Sequence, residues 1–465
     1  MEQFLAIDIG ASSGRHILGH VENGTMHLAE MYRFDNNLVE KNQHICWDMK
    51  ALEASVIAGL SACKKAGEIP CTLGIDTWAV DFVLLDANDK ILGDTVAYRD
   101  KRTQGMENAY PFAEIYAKTG IQKQPFNTIY QLLALQKEVP ELLTQAESLL
   151  MIPDYLNFIL TGVKKQEYTN ATSTALVNAV ARTWDFELIR ALHLPEKLFK
   201  PLSMPGTVVG RLRADVRKSV GFDCTVLLPA THDTGSAFMA VPTKDENAVC
   251  ISSGTWSLLG VENQNPITTP QSATANFTNE GGYECRYRYL KNSMGLWMIQ
   301  SIRRNLDKKY SFADLEQMAK DCADFKSVVD VNDASFLAPD NMMLAVSEFC
   351  EKTNQPLPHS IGETMQCVYR SLAKNYAESI QELQKITGKT YTSVNIVGGG
   401  SKDGYLNALT AKATQLPVYA GPTEATALGN LMAQWIAQAF TRTYMRHAPP
   451  FERVLQLRRF YHDKL

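Results

Sequence analysis

The chain has 465 residues, of which 45% are apolar and 21% are charged, a composition typical of a folded protein of two or three domains. Its 46 Lys and Arg side chains are outnumbered by 50 Asp and Glu side chains, for a formal charge of -4. Because no net positive charge attracts polyanions, nucleic acids and anionic membrane surfaces are not expected partners.

The cysteines show no C-x-x-C pair and no Cys/His cluster at zinc-site spacing, so reduced and mostly buried thiols are expected. The sequence leaves open whether Cys350 and Cys367 ever pair. The chain start lacks the basic segment of a secretory leader, and no apolar run reaches the roughly 18 residues of a membrane-spanning helix. These features predict a cytoplasmic protein.

Three antiparallel strands are predicted at the start of the chain, at residues 4–9, 15–21 and 26–34. The turn between the first two is Gly10-Ala11-Ser12-Ser13-Gly14, and Asn23-Gly24, a strong hairpin signal, joins the last two.

A helix and a fourth strand follow. Asp48 can cap the helix, its apolar positions recur every three or four residues, and Gly67 can end it. Residues 72–75 form the next strand. This β-β-β-α-β order differs from the β-α-β opening of a dinucleotide-binding fold.

The opening pattern recurs in the middle of the chain. A strand at 248–251 leads into the hydroxyl-and-glycine turn 252–255 and a second strand at 256–260. The repetition predicts two related domains, divided near 241–246, with the active site in the cleft between them.

A long helix is predicted over 361–383, where an apolar stripe recurs at helical spacing, and we interpret the stripe as a core-packing face. A strand at 394–397 then leads into Gly398-Gly399-Gly400, and a helix follows from Asp403. Three glycines between a strand and a helix let a phosphate or a flat ring approach the backbone.

Gly10 to Gly14 matches G-x-S-x-G, but the strand that follows the turn rules out the nucleophile elbow of a hydrolase, which needs a helix there. The turn can instead surround a phosphate with N–H groups and hydroxyls, while Asp8 holds Mg²⁺, or it can be a plain hairpin turn.

Two segments resemble nucleotide-binding motifs, but each lacks a glycine that its motif requires. Thr387-Gly388-Lys389-Thr390 resembles the end of a Walker A loop, but Leu383 replaces its first glycine. The segment 398–404 misses G-x-G-x-x-G because Asp403 replaces the last glycine. A P-loop is therefore rejected, and a nicotinamide enzyme is disfavoured.

Two polar segments lie at predicted strand ends. Asp233, in the segment 231–237 after the apolar run 225–230, is either a general base or the cap of a helix starting near Thr234. The segment 74–81 offers Trp78 with two carboxylates, Asp76 and Asp81, which suits a sugar platform or a buried Trp with solvated Asp neighbours.

Together, these segments resemble the FGGY family of carbohydrate kinases in the actin-like ATPase superfamily, and most closely its bacterial branch that acts on L-rhamnulose. The resemblance covers nearly the whole chain, at residues 6–15, 74–86, 98–102, 154–155, 168–172, 232–234, 252–257, 291–297, 398–400 and 424–430.

The resemblance implies an α/β fold of two ribonuclease-H-like domains of the actin-like ATPase type, with a cleft between them. Residues 1–244 would bind the sugar and carry the base, and residues 245–465 would bind ATP. The implied reaction transfers phosphate from ATP to the 1-hydroxyl of L-rhamnulose in rhamnose catabolism, giving L-rhamnulose 1-phosphate and ADP.

In this family pattern, Asp233 is the general base and Asp8 serves Mg²⁺. The residues implied on the sugar side are Ala11, Ser12, Ser13, Gly14, Arg15, Trp78, Ala79, His232, Thr234 and Asn292. The residues implied at ATP are Thr255, Gln300 and Gly399.

Ala79 departs from the family pattern, because the relatives usually carry glycine there. The alternatives are therefore kinases of fuculose, xylulose or glycerol, which share the phosphate loops and differ on the sugar side. A nucleotide-switched chaperone or filament protein of the same superfamily is disfavoured, because the match leaves no domain-sized segment for peptide binding.

Overall fold

The structure is a computed structural model that describes residues 2–22, 25–441 and 458–460. The chain forms two compact units. The first contains the described residues of 1–240, 262–289 and 425–454, and the second contains those of 241–261, 290–424 and 455–465.

The strands in the described part of the chain are β1 (Phe4–Ile9), β2 (Ser13–Glu22), β3 (Thr25–Asp35), β4 (Leu38–Lys41), β5 (His44–Trp47), β6 (Thr72–Thr77), β7 (Phe82–Leu85), β8 (Ser148–Met151), β9 (Gln166–Glu167), β10 (Val177–Asn178), β11 (Thr183–Trp184), β12 (Leu202–Ser203), β13 (Val208–Arg211), β14 (Thr225–Leu227), β15 (Ala248–Ser253), β16 (Trp256–Asn263), β17 (Thr278–Gly281), β18 (Tyr287–Met294), β19 (Ser393–Val397), β20 (Val418–Ala420) and β21 (Arg458–Phe460).

The α-helices are α1 (Met49–Ala66), α2 (Phe112–Thr119), α3 (Thr128–Glu138), α4 (Pro140–Gln145), α5 (Ile152–Thr161), α6 (Tyr168–Thr172), α7 (Phe186–Ala191), α8 (Ala214–Val220), α9 (Asp233–Met239), α10 (Pro270–Thr274), α11 (Trp297–Asn305), α12 (Phe312–Asp321), α13 (Met342–Lys352), α14 (Ile361–Thr387), α15 (Gly404–Thr414) and α16 (Ala425–Thr441). Short 3₁₀ helices span Lys101–Thr103, Met106–Asn108, Glu196–Leu198, Tyr283–Cys285, Ala334–Phe336 and Gly399–Lys402.

Two sheets share one central topology. In the first, with order β13-β14-β6-β1-β2-β3, β1, β2 and β3 are antiparallel neighbours, while β6 lies parallel to β1 and β14 parallel to β6. The other has order β17-β18-β16-β15-β19-β20-β21, with β16 antiparallel to β15, β19 parallel to β15 and β20 parallel to β19. The order β18-β16-β15-β19-β20 repeats β3-β2-β1-β6-β14, which confirms the predicted duplication.

The local predictions from the opening sequence are confirmed where the structure describes them. The Asp48 carboxylate accepts the Ala51 N–H at 3.2 Å as the N-cap of α1, and Gly67 ends that helix at φ 77° in the left-handed region. The Asn23-Gly24 turn lies outside the described residues, but β2 and β3 pair up to Glu22 and Thr25, as a hairpin requires.

The long apolar stripe lies on α14, whose buried face confirms the core-packing interpretation. Thr387 is the last residue of this helix, and Gly388 ends it at φ 67°, so the segment 387–390 is a helix end rather than a phosphate loop.

Every cysteine is a free thiol, and six of the nine are buried. A hydrogen bond between the thiols of Cys350 and Cys367 lowers the pKa of Cys350 and raises that of Cys367. Among the described residues, no helix combines the length and apolar composition that a membrane crossing requires.

His16, on β2, is completely buried under α1, where a Cβ at Gly59 would overlap its ring. Its Nε2 lies 3.1 Å from the carbonyl oxygen of Val56, and its Nδ1 has no partner among the described residues. Burial disfavours the charged ring more than this hydrogen bond favours it, so the pKa of His16 falls from 6.5 to about 4.

We predict that His16 makes the protein acid-sensitive. In the unfolded chain the imidazole binds a proton below pH 6.5, but in the folded chain only below about 4. The free energy of unfolding should therefore fall by about 3 kcal/mol across this pH window. Denaturant titrations from pH 7 to 4 should show this loss in the wild type and in the exposed control His27→Gln. A loss of equal size in His16→Gln would contradict the prediction.

Candidate active site

The turn between β1 and β2 has a fixed backbone and open side chains. The Gly10 N–H donates to the Ser13 carbonyl at 2.9 Å, and Asn36 donates from its backbone to Ser12 and from its side chain to Gly10. A Cβ at Gly14 would overlap the Phe34 ring, so glycine is required there for packing. The side chains of Ala11, Ser12 and Ser13 are half-buried or exposed, as a ligand-binding turn needs.

Two carboxylates lie side by side at the end of neighbouring parallel strands, because Asp8 of β1 is in register with Asp76 of β6. Arg15 Nη2 donates to Asp8 at 2.8 Å, and Asn430 Nδ2 of α16 donates to Asp76 at 2.5 Å. Burial, together with the charges of Asp8 and Asp233, raises the pKa of Asp76 well above its usual range. The neighbouring charges therefore disfavour the ionised form of Asp76, the most buried carboxyl group of the three.

Asp233 is the first residue of α9, and the N-cap position belongs to His232, whose side chain makes no capping hydrogen bond. The Asp233 side chain is 31% exposed. Its Oδ1 accepts from the Thr234 N–H at 2.5 Å and from the Thr234 hydroxyl at 3.0 Å. The carboxylate is thus oriented by its neighbour and open to solvent, an arrangement suited to accepting a proton.

The ring of His232 contacts a completely buried arginine. Arg288 Nη2 lies 3.0 Å from His232 Nδ1, and Arg288 also pairs with Glu280 at 3.1 Å. Because a guanidinium only donates, Nδ1 accepts, and we assign the ring proton to Nε2, which lies 3.5 Å from Asp233 Oδ1. Burial raises the pKa of Glu280, but the positive charge of Arg288 opposes this effect, and the net pKa is lowered.

Trp78 is 5% exposed, and its Nε1 donates to Asp81 at 2.9 Å. Asp81 also accepts from Trp47 Nε1 at 2.6 Å, and the two indole rings lie 4.1 Å apart. Asp81 and Asp76 are completely or almost completely buried. The interpretation of Asp neighbours in solvent is therefore wrong: both carboxylates are structural partners inside the unit.

The backbone after Trp78 is strained. Ala79 is half-buried, and Val80 has φ 68°, a conformation that a β-branched residue rarely adopts. The Val80 N–H donates to Ser173 Oγ at 3.2 Å, and its carbonyl accepts from Thr128 Oγ1 at 2.6 Å. Such strain persists only where surrounding groups fix the backbone, and it is often found at functional sites.

The second turn, between β15 and β16, repeats the first with different side chains. The Gly254 N–H donates to the Trp256 carbonyl at 2.9 Å. Thr255 Oγ1 lies 3.5 Å from Gln300 Oε1, so two of the residues implied at ATP are brought together. Asn292 Oδ1, on β18, is buried with no hydrogen-bond partner among the described residues, which suits a ligand contact.

The glycine run after β19 contacts the second turn. Gly398 has φ 84°, and a Cβ at Gly400 would overlap Ser253 Oγ. Gly399 is exposed, and a Cβ there would meet no atom within 4 Å. Gly398 and Gly400 are therefore needed for close packing, whereas Gly399 leaves a surface open to a ligand.

Two family models match the chain, the N-terminal domain of the FGGY family of carbohydrate kinases at residues 3–240 and its C-terminal domain at residues 249–438. The chain belongs to the FGGY family of carbohydrate kinases. It is 50% identical to the rhamnulokinase of Halalkalibacterium halodurans over 94% of both chains, and 43% identical to that of Bacillus subtilis over 93% of this chain and 90% of the relative.

Solved structures agree on the fold. A ligand-bound xylulose kinase from Lactobacillus acidophilus aligns with a TM-score of 0.82 at 18% identity, covering 99% of this chain and 94% of that one. Plasmodium falciparum glycerol kinase with ADP aligns with a TM-score of 0.75 at 14% identity, covering 100% and 94%. This FGGY kinase therefore has the two-domain actin-like ATPase fold.

The structure sorts the site residues implied by the sequence into two groups. The group in the first unit consists of Asp8, Ala11, Ser12, Ser13, Gly14, Arg15, Trp78, Ala79, His232, Asp233 and Thr234. The group in the second unit consists of Thr255, Asn292, Gln300 and Gly399. The polar partners of the first group are Asn36, Glu280, Arg288 and Asn430. Asn430 belongs to the family segment 424–430, but its bond to Asp76 was not predicted, and the other three partners carried no prediction. A charged Arg288 within the apolar start of β18 was the one local signal.

We predict that Gly400→Ala destabilises the second unit, because the added methyl group overlaps Ser253 Oγ. Overpacking of this kind costs about 1–3 kcal/mol. Gly399→Ala is the matched control, since its methyl group meets no protein atom within 4 Å. Thermal unfolding should show a lower midpoint for Gly400→Ala alone. Equal midpoints for both variants would contradict the packing role of Gly400.

Proposed function

We propose that the chain transfers the γ-phosphoryl group of ATP to the 1-hydroxyl of L-rhamnulose, giving L-rhamnulose 1-phosphate and ADP in rhamnose catabolism. The observation that carries this proposal is the 50% identity to a rhamnulokinase over 94% of both chains. The similarity extends over 441 residues, so it involves both family domains.

Asp233 is the general base in this proposal. Its carboxylate accepts the hydroxyl proton as the sugar oxygen bonds to phosphorus. The bond from phosphorus to the bridging oxygen of ADP breaks in line with the attack. The transition state is loose and highly charged, so positioning and charge stabilisation supply most of the acceleration.

The sugar would be bound by residues 1–244, with Ala11 to Arg15 and Trp78 to Ala79 as walls. His232 supports this role, because our assignment places an Nε2–H donor 3.5 Å from the proposed base, where it can also reach a sugar hydroxyl. Thr234 orients the base through its hydroxyl at 3.0 Å. Asn292 would add a contact through its buried, unpartnered Oδ1.

ATP would be bound by residues 245–465, at Thr255, Gln300 and Gly399. The open surface at Gly399 supports a contact with the nucleotide, because no side chain stands in the way. Asp8 would supply a carboxylate oxygen to Mg²⁺, a cation that commonly uses one or two carboxylates beside phosphate oxygens. Bound there, Mg²⁺ would neutralise charge on the phosphates. The proposed compartment is the cytoplasm.

A kinase of fuculose, xylulose or glycerol is the alternative, and Ala79 is the observation that keeps it open. Ala79 is half-buried beside the strained Val80, so its methyl group lies on a backbone that cannot readily shift. Sugar choice therefore depends on how this methyl group meets the substrate.

We predict that Asp233→Asn loses about 10²–10⁴-fold in kcat, because the amide keeps the shape of the carboxylate and cannot accept the proton. L-Rhamnulose binding by calorimetry should remain close to that of the wild type. Asp48→Asn is the control at a true helix cap and should keep full activity. Full activity in Asp233→Asn would return Asp233 to a structural role in α9.

We also predict that Gly399→Ala raises the KM for ATP and leaves the KM for L-rhamnulose unchanged. The added methyl group would occupy the surface that the nucleotide contacts, without touching the protein. Initial rates with each substrate varied in turn separate the two constants. An unchanged KM for ATP would remove Gly399 from the nucleotide site.

A further inference from the structure

The loop that carries the proposed base is fastened to a buried carboxylate that the reaction itself does not use. Glu167 is completely buried and is the N-cap of α6. Its Oε2 accepts from the hydroxyls of Thr169 and Thr231, both at 2.6 Å, and from the Asn170 N–H at 3.0 Å. Its Oε1 accepts from the Thr169 N–H at 2.8 Å. One carboxylate thus joins the start of α6 to the loop before Asp233.

The same loop is held on its other sides. The Thr77 N–H, at the end of β6, donates to the Thr231 carbonyl at 2.9 Å. The His232 N–H lies 3.3 Å from Thr169 Oγ1, a hydroxyl that Glu167 already holds. The backbone immediately before Asp233 is therefore fixed by β6 and α6 together.

Glu167 is itself held by Asp154, whose two carboxyl oxygens lie 3.1 and 3.2 Å from the Glu167 N–H. Burial and the charge of Glu167 raise the pKa of Asp154 well above its usual range, and burial also raises the pKa of Glu167. A buried carboxylate with four close donors is a rigid anchor, because moving it would leave several polar groups unpaired.

We propose that Glu167 is a positioning residue, which holds the 231–233 loop through the Thr231 hydroxyl and thereby fixes the Asp233 carboxylate for proton transfer. This inference rests on the proposed role of Asp233. It assigns a role to the segment 168–172, which the family resemblance singled out without one. Thr231 contacts neither the base nor the substrate in this account and acts only as the link.

The test is Thr231→Val, which keeps the shape of the side chain, removes the hydroxyl bond to Glu167 and leaves only the longer contact from the Thr231 N–H at 3.4 Å. Misplacement of a reacting group by about 1 Å costs about 10²-fold, so we expect kcat to fall by about 10- to 100-fold. The KM for sugar and for ATP should stay within about twofold, because only the transition state uses the base position. Thr231→Ser restores the hydroxyl and should restore kcat.

Thr119→Val is the matched control, since Thr119 is a buried threonine of the same unit whose hydroxyl donates to the Ile115 carbonyl at 2.8 Å. It should keep the wild-type kcat even if its melting temperature falls. Glu167→Gln is the second variant, and it should lose kcat in the same way because the amide nitrogen faces donors. If Thr231→Val does not fold, Glu167→Gln decides the test.

Amide hydrogen exchange gives a readout that needs no substrate. The Thr77 and His232 amides should exchange faster in Thr231→Val than in the wild type, and at the wild-type rate in Thr119→Val. Wild-type kcat or unchanged exchange in Thr231→Val would overturn the inference. Failure of the proposed function can be distinguished from failure of this inference. In the first case the wild type itself would release no ADP with L-rhamnulose. Hydrogen exchange at the Thr77 and His232 amides would then still test whether Glu167 holds the loop.

Discussion

The first unit depends on the hydrogen bonds that let it bury carboxylates. Asp76, Asp81, Asp154 and Glu167 are all buried, and an unpaired buried charge would cost several kcal/mol. Each accepts hydrogen bonds: Asp76 from Asn430, Asp81 from two indoles, Asp154 from the Glu167 N–H, and Glu167 from two threonine hydroxyls. These bonds also fix the loops that carry the residues proposed for the sugar side, so the interactions that make burial tolerable hold these loops in place.

The two sheets share one central topology but carry different side chains at the ends of their central strands. In the first sheet, β1 and β6 bring two acids into register, at Asp8 and Asp76. In the second, the corresponding strands β15 and β19 pair Ser252 with Val397. The acidic end is suited to proton transfer and Mg²⁺, whereas the hydroxyl- and glycine-rich end is suited to phosphate. The proposed division between sugar and nucleotide follows from this difference in side chains.

The sequence predicts what depends on local patterns. The opening strands, the capped helix α1, the long helix α14 and the second turn all follow from periodicity, caps and turn residues close together in the chain. The resemblance to the FGGY kinases is carried by motifs spread over the chain, so the amino-acid sequence alone indicates the family.

The supporting partners could not be predicted in this way, because they are distant in sequence. Asn430 lies 354 positions from Asp76, Thr231 lies 64 from Glu167, and Arg288 lies 56 from His232. No local pattern distinguishes a solvated aspartate from a buried one whose donors come from another element. For that reason the sequence is compatible with solvent-exposed side chains at Asp76 and Asp81. The hydrogen bonds from Glu167 that hold the 231–233 loop are likewise visible only in the folded structure.

The central claim is that this chain phosphorylates L-rhamnulose with ATP. The most direct measurement is the initial rate of ADP release with Mg²⁺-ATP across L-rhamnulose, L-fuculose, D-xylulose, L-ribulose and glycerol. We expect kcat/KM for L-rhamnulose to exceed every other value by at least about tenfold, a ratio within reach of a few pocket contacts. A higher kcat/KM for another of these compounds would contradict the assignment of L-rhamnulose as the substrate. An ADP release rate that none of the five compounds increases would contradict the kinase activity.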